Sequence, residues 1–119
     1  MATVVATSND ILIGNGLYTW ANMALGDTGS AIGVVASGDR TVQIQGTFGA
    51  GGQVQIEGSL DGGVNWYALR DPTGSKLIFS SADLKAVLEN VDLIRPRVLA
   101  GDGTTSITVI LSVRKMRNG

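Results

Sequence analysis

The stretch Arg40-Thr41-Val42-Gln43-Ile44-Gln45-Gly46-Thr47-Phe48 alternates between two chemistries. Val42, Ile44 and Phe48 fall on one side of an extended chain, and Thr41, Gln43, Gln45 and Thr47 on the other. Successive side chains of a strand point to opposite faces, so this is a strand with one buried and one wet face. Residues 53–60 repeat the pattern, with Val54, Ile56 and Leu60 set against Gln53, Gln55, Glu57 and Ser59. Residues 105–115 repeat it again, with Ile107, Val109, Leu111 and Val113 against Thr108, Ser112 and Arg114. One-sided strands of this kind belong to antiparallel sheets.

Between the first two strands stands Gly49-Ala50-Gly51-Gly52, which reads as a hairpin turn. Directly opposed residues must share a face, and the inward residues of both arms are even-numbered. Phe48 is therefore expected opposite Gly52 or Val54. The second register places Gly46 against Ile56 and Gly58 against Ile44, which complements small with large.

Working outward, residues 17–25, with Tyr18 and Trp20, read as a strand, as do residues 30–36. Gly26-Asp27-Thr28-Gly29 between them is a turn signal. Asp61-Gly62-Gly63 and Asp71-Pro72-Thr73-Gly74 turn the chain before and after residues 64–69, and residues 77–79 follow. Residues 93–100 form a strand containing Pro96, which has no N–H for the ladder and so predicts a sheet edge or a bend. Ser80-Ser81-Ala82-Asp83, followed by Leu84, Val87 and Leu88 on one helical face, predicts one short helix at about 81–90. The fold class is all-β: an antiparallel β-sandwich or jelly roll over residues 17–119, with that helix and an extended N-terminal arm over residues 1–16.

Composition excludes several function classes. The 119 residues are 44% hydrophobic and 16% charged, with 17 glycines, no cysteine and no histidine. That apolar fraction fills a core rather than a disordered chain. Disulfide scaffolds, thiolate metal sites and histidine acid–base or ligand chemistry go with the missing residues. The net charge of −1 gives no field for phosphates, so nucleic acid is not an expected partner. Ile11-Leu12-Ile13 is too short for a membrane span, and no membrane partner is expected.

Chemistry-bearing motifs are weak throughout. Gly14-Asn15-Gly16 and Gly101-Asp102-Gly103 start a dinucleotide fingerprint, but Thr19 and Ser106 replace its third glycine. Glu57, Asp61, Asp71 and Asp102 are the carboxylates available for paired-acid catalysis, yet they stand on a wet strand face or in turns, where aspartate caps its own backbone. Asp61-Gly62-Gly63-Val64-Asn65 offers oxygens to a cation but lacks the alternation and terminal glutamate of an EF-hand loop. No catalytic, cofactor-binding or metal-ligating residue is assigned, and no cofactor is expected. Trp66 is read as capping the core, Tyr67 as pointing outward; Tyr67 or Trp20 would be the platform of a carbohydrate-binding module, the rival reading.

Interface candidates are easier to name. Val4, Val5, Ile11, Leu12 and Ile13 are apolar anchors on the arm, expected to be buried against another chain by strand addition. Arg95 and Arg97 flank Pro96 on one face, either as a solubilising stripe or as a dock for an acidic partner. All nine basic residues lie at or beyond Arg40, whereas Asp10, Asp27 and Asp39 precede it. Arg114, Lys115 and Arg117 crowd the end, so a basic tail can pair with an acidic arm across subunits.

Gly26-Asp27-Thr28-Gly29, the run Arg40 to Gly49, Glu57-Gly58-Ser59-Leu60-Asp61-Gly62 with Trp66, Ile94-Arg95-Pro96-Arg97 and Gly101-Asp102-Gly103-Thr104-Thr105-Ser106 occur here in that order. In this, residues 17–115 resemble a family of small tailed-phage and prophage virion structural proteins. The resemblance implies a jelly-roll capsid decoration (cement) protein on the outside of the virion, made in the host bacterial cytoplasm. Its partners would be the major capsid protein and further copies of itself, as homodimer or homotrimer. A head–tail connector or tail component is the other structural alternative. No family contact residue maps onto this chain.

Overall fold

The structure is a computed structural model and describes residues 2–12, 15–34 and 37–115. Its strands are β1 (Thr3–Val4), β2 (Thr7–Leu12), β3 (Asn15–Met23), β4 (Thr28–Gly29), β5 (Ile32–Gly33), β6 (Ser37–Thr47), β7 (Gln53–Ser59), β8 (Tyr67–Ala68), β9 (Ile78–Phe79), β10 (Asp83–Ala86), β11 (Leu93–Ala100) and β12 (Ser106–Lys115). They form two sheets. One runs β10-β6-β12-β3-β2; the other runs β1-β4-β11-β7-β8, with β5 also on β11 and β9 also on β7. β1 lies parallel to β4, and the other described pairings are antiparallel.

The alternation read from the sequence places the core. Ile107, Val109, Leu111 and Val113 of β12 and Val42 and Ile44 of β6 are buried from one sheet; Val54, Ile56, Ile94 and Val98 meet them from the other. On β3 the parity breaks, because both Trp20 and Met23 are buried. The ladder with β12 shifts register there: Ile107 opposes Met23 while Val109 opposes Trp20. Asn22 within that bulge has φ 54°, a left-handed conformation that asparagine tolerates better than most residues.

Three expectations are corrected. β6 and β7 do not form a hairpin: they lie in different sheets and face each other across the core. Parity cannot separate the two arrangements, because even-numbered residues point inward in both. The helix expected at 81–90 is absent; Asp83–Ala86 is instead an edge strand paired with β6, Lys85 opposite Val42. Of its three apolar residues only Val87 is buried, while Leu84 and Leu88 are exposed. A single helical face would have buried all three, and so short a window does not distinguish the two periods. β11, with Pro96, is an internal strand flanked by β7 on one side and by β4 and β5 on the other. Val98 donates to Asp27 on that second side, at 2.9 Å. Pro96 faces the same way, into the break between the two short strands, where a donor is dispensable. Its ring packs on Gly29, where a Cβ would lie 2.5 Å from Pro96 Cδ and 2.8 Å from the Trp20 ring.

Residues 3–12 join both sheets of their own sandwich, β1 on one and β2 on the other. The Ala2 N–H donates to Asp27 Oδ1 at 3.0 Å and the Ser30 N–H to Val4 O at 2.8 Å. Val4 and Ala6 pack on the core.

Candidate functional site

The outer face of the β7–β11 pair carries a polar cluster around a buried carboxylate. Cross-strand register sets Arg95 opposite Glu57 and Arg97 opposite Gln55. Glu57 stands on a face the alternation marks as wet, yet it is only 2% exposed, because its neighbours cover it. Arg95 Nε donates to Glu57 Oε1 at 2.7 Å, and Gln55 Nε2 to Oε2 at 2.8 Å. The Arg95 guanidinium also lies 4.0 Å from the centroid of the Trp66 ring, a cation–π contact. Trp66 is fixed in turn by its indole N–H, which donates to Gly63 O at 2.9 Å.

Arg97 is placed differently. Its Nε is 3.8 Å from Glu57 Oε2, and its side chain is 48% exposed. At that distance the contact is an ion pair without a hydrogen bond, so the fork of N–H groups stays available to an external acceptor. The two arginines that the sequence treats as one stripe are thus separate: Arg95 is committed within the chain and Arg97 faces outward.

Other candidates scatter. Val5 is 76% exposed, Val4 is half-buried on its own core, and Ile11 and Leu12 lie in β2. Arg114 is exposed opposite Asp39 near the end of β12, and Lys115 ends that strand. Ile13 and Arg117 lie outside the described residues. Arg95 and Arg97 share one sheet face, but the structure gathers neither the arm residues nor Arg114 around them. Trp20 is 1% exposed and its indole donates to Ser30 O, so it serves the core and offers no ligand platform; Tyr67 is 72% exposed.

The turn aspartates act on backbone. Asp61 accepts from the Asn65 N–H at 2.9 Å, from Ser59 Oγ at 2.7 Å and from Asn65 Nδ2 at 2.7 Å. These hydrogen bonds, led by the Asn65 backbone, hold its carboxyl down to about 2. Asp71 is held at about 2, first by Thr73 Oγ1 at 2.6 Å. Asp102 accepts from the Ala50 N–H at 2.8 Å and from Thr104, and is likewise lowered to about 2. It thereby clamps the turn after β6 to the turn before β12, a longer reach than capping its own loop. Among the described residues no group of three or more acidic side chains converges as a metal site would require.

Sequence reading missed two features. Arg40, placed at the start of a strand, is 4% exposed and donates to Glu89 O and Val34 O; burial lowers its pKa and Asp92 partly offsets this. Arg70 and Glu89 pair at 3.4 Å across 19 residues of sequence beside Tyr67, and no local motif announces such a pair. Leu60, expected on the buried face with Val54 and Ile56, is instead 69% exposed beyond the end of β7, and Val64 is exposed as well.

No family model matches the chain, and no curated protein matches it. Among solved structures it is similar to the SPBc2 prophage-derived protein YomS, with a TM-score of 0.59 and 15% sequence identity over 88% of this chain and 98% of that one. The two share a fold.

Proposed function

We propose that this chain is a structural protein of a tailed-phage particle: a decoration or cement protein that binds the outside of the major capsid shell and stabilises it by non-covalent contacts. The observation that supports this reading is the fold it shares with a prophage-derived protein along nearly that protein's whole length. The ordered set of sequence words that resembles virion structural proteins points the same way. Such a role requires a rigid body and an accessible contact surface, and no catalytic centre. The sandwich supplies the first. Arg97, half-exposed on β11, and Val5, exposed just after β1, each supply part of the second. The partner patch would be acidic with an apolar rim, on the shell protein or on a sister copy.

The test is re-binding. Purified protein is mixed with shells that lack it and sedimented. Wild type is expected to co-sediment saturably, and a Val5→Asp/Arg97→Ala variant, which changes two exposed or half-exposed side chains, is expected to lose at least tenfold in affinity. Absence of wild-type protein from the pellet overturns the proposal.

A further inference from the structure

A cleft of about 320 Å³ opens between the β7–β8 edge and the segment that follows β10. This volume lies at the lower end of the range for small-ligand pockets, roughly 300–1,000 Å³. Its floor is apolar: a Cβ at Gly58 would lie 2.7 Å from Val91 Cγ2 and 2.8 Å from Leu69 Cδ2. One wall carries Tyr67, whose ring is exposed and whose hydroxyl has no hydrogen-bond partner among the described residues. The rim is polar on both sides. Asp61 and Asn65 hold each other through the bonds already described. Opposite them, Glu89 accepts from the Arg70 N–H at 2.7 Å and from Arg70 Nη1 at 3.4 Å.

We propose that this cleft is a saccharide-binding site, in which the C–H face of a neutral pyranose packs on Tyr67 and its hydroxyls bond to Asp61, Asn65, Arg70 and Glu89. The chemistry of the walls selects this occupant. Two carboxylates and one guanidinium leave the rim with a negative balance, which disfavours an anionic ligand. A purely apolar occupant would strip water from those charged groups and return no hydrogen bonds. A sugar satisfies both surfaces, since it presents an apolar face and a ring of hydroxyls that donate and accept. The rim is already held in place by its own hydrogen bonds, so little ordering is left to oppose binding. The site stands apart from the Glu57–Arg95 cluster and does not depend on attachment to a shell.

The test uses the isolated full chain, labelled with ¹⁵N and titrated with glucose, galactose, mannose, N-acetylglucosamine and glucuronate up to their solubility limits. At least one neutral sugar is expected to give saturable shifts confined to residues 58–70 and 89–91, with glucuronate weaker. Tyr67→Ala is expected to weaken binding at least tenfold while leaving the rest of the spectrum unchanged, because the side chain is exposed. Tyr67→Phe retains most of the affinity. Absence of saturable shifts with every sugar overturns the proposal, as does binding that Tyr67→Ala leaves intact. Shifts at the same residues with an apolar peptide, but with no sugar, make the cleft a protein-docking groove and also overturn it. Shell re-binding is read separately, so failure here leaves the function proposed above in place.

Discussion

The two sheets share one core but are built on different plans. The sheet around β6 and β12 has strands of 11 and 10 residues, paired along nearly their whole length from Ser106 opposite Thr47 to Lys115 opposite Ser37. The sheet around β7 and β11 is completed by two-residue strands: β1, β4, β5, β8 and β9. Along β12 and most of β6, long ladders bury alternate residues and leave little on the surface to vary. Short ones leave turns, and the turns carry the Asp61 loop, the Trp66–Arg95 contact and the cleft beside Tyr67. Stability is therefore concentrated in the first sheet, and distinctive surface chemistry in the second.

The largest expected effect tests the first half of that contrast. Leu111, fully buried in β12, is expected to cost about 2–5 kcal/mol on replacement by alanine, the usual range for a large-to-small core change. Chemical denaturation measures it; a loss no larger than that of a surface substitution would break the contrast.

A smaller effect separates the two arginines. Arg95→Ala leaves the buried Glu57 carboxylate without its shortest donor, and about 1–3 kcal/mol is expected for such an unsatisfied group. Arg97→Ala is expected to cost ~0–1 kcal/mol, as half-exposed ion pairs do. Equal losses in denaturation would show that both arginines belong to the internal cluster and that neither is left for a partner.

The smallest effect is an acid-induced loosening of the irregular side. Asp61, Asp71 and Asp102 follow β7, β8 and β11, and each is held near 2 by hydrogen bonds to its charged form. Unfolded aspartate titrates near about 3.9. The stabilisation is therefore fully present above about pH 4 and is lost as the pH falls toward about 2. The indole N–H resonance of Trp66, bonded to Gly63 O, is expected to shift in that window before that of Trp20, bonded to Ser30 O. Simultaneous movement of both would mean that the sandwich responds as one unit.

The same contrast explains what could be read in advance. Val42, Ile44, Ile107, Val109 and Leu111 announced the long ladders, because many alternations agree over a long strand. β10 reads as a helix from sequence alone, because Leu84, Val87 and Leu88 satisfy a helical spacing and nothing local reveals that β6 has an open edge. The hairpin reading of β6 and β7 failed for a related reason: glycine-rich turns join strands within a sheet and across a sandwich alike. Glu57 sits on the face marked wet, and only the cross-strand register, a non-local fact, shows that arginine covers it. Tyr67 is exposed as expected, but not for the expected reason: Trp66, read as capping the core, lies instead over Arg95 on the outer face. The pairing of Arg70 with Glu89 was not legible, since they meet only in the folded chain.

The proposed role is tested most directly by the copy number of this chain in purified phage particles, measured by quantitative mass spectrometry against the major shell protein. A decoration or cement protein predicts a ratio near one copy per shell subunit. A handful of copies per particle, or none, would contradict it.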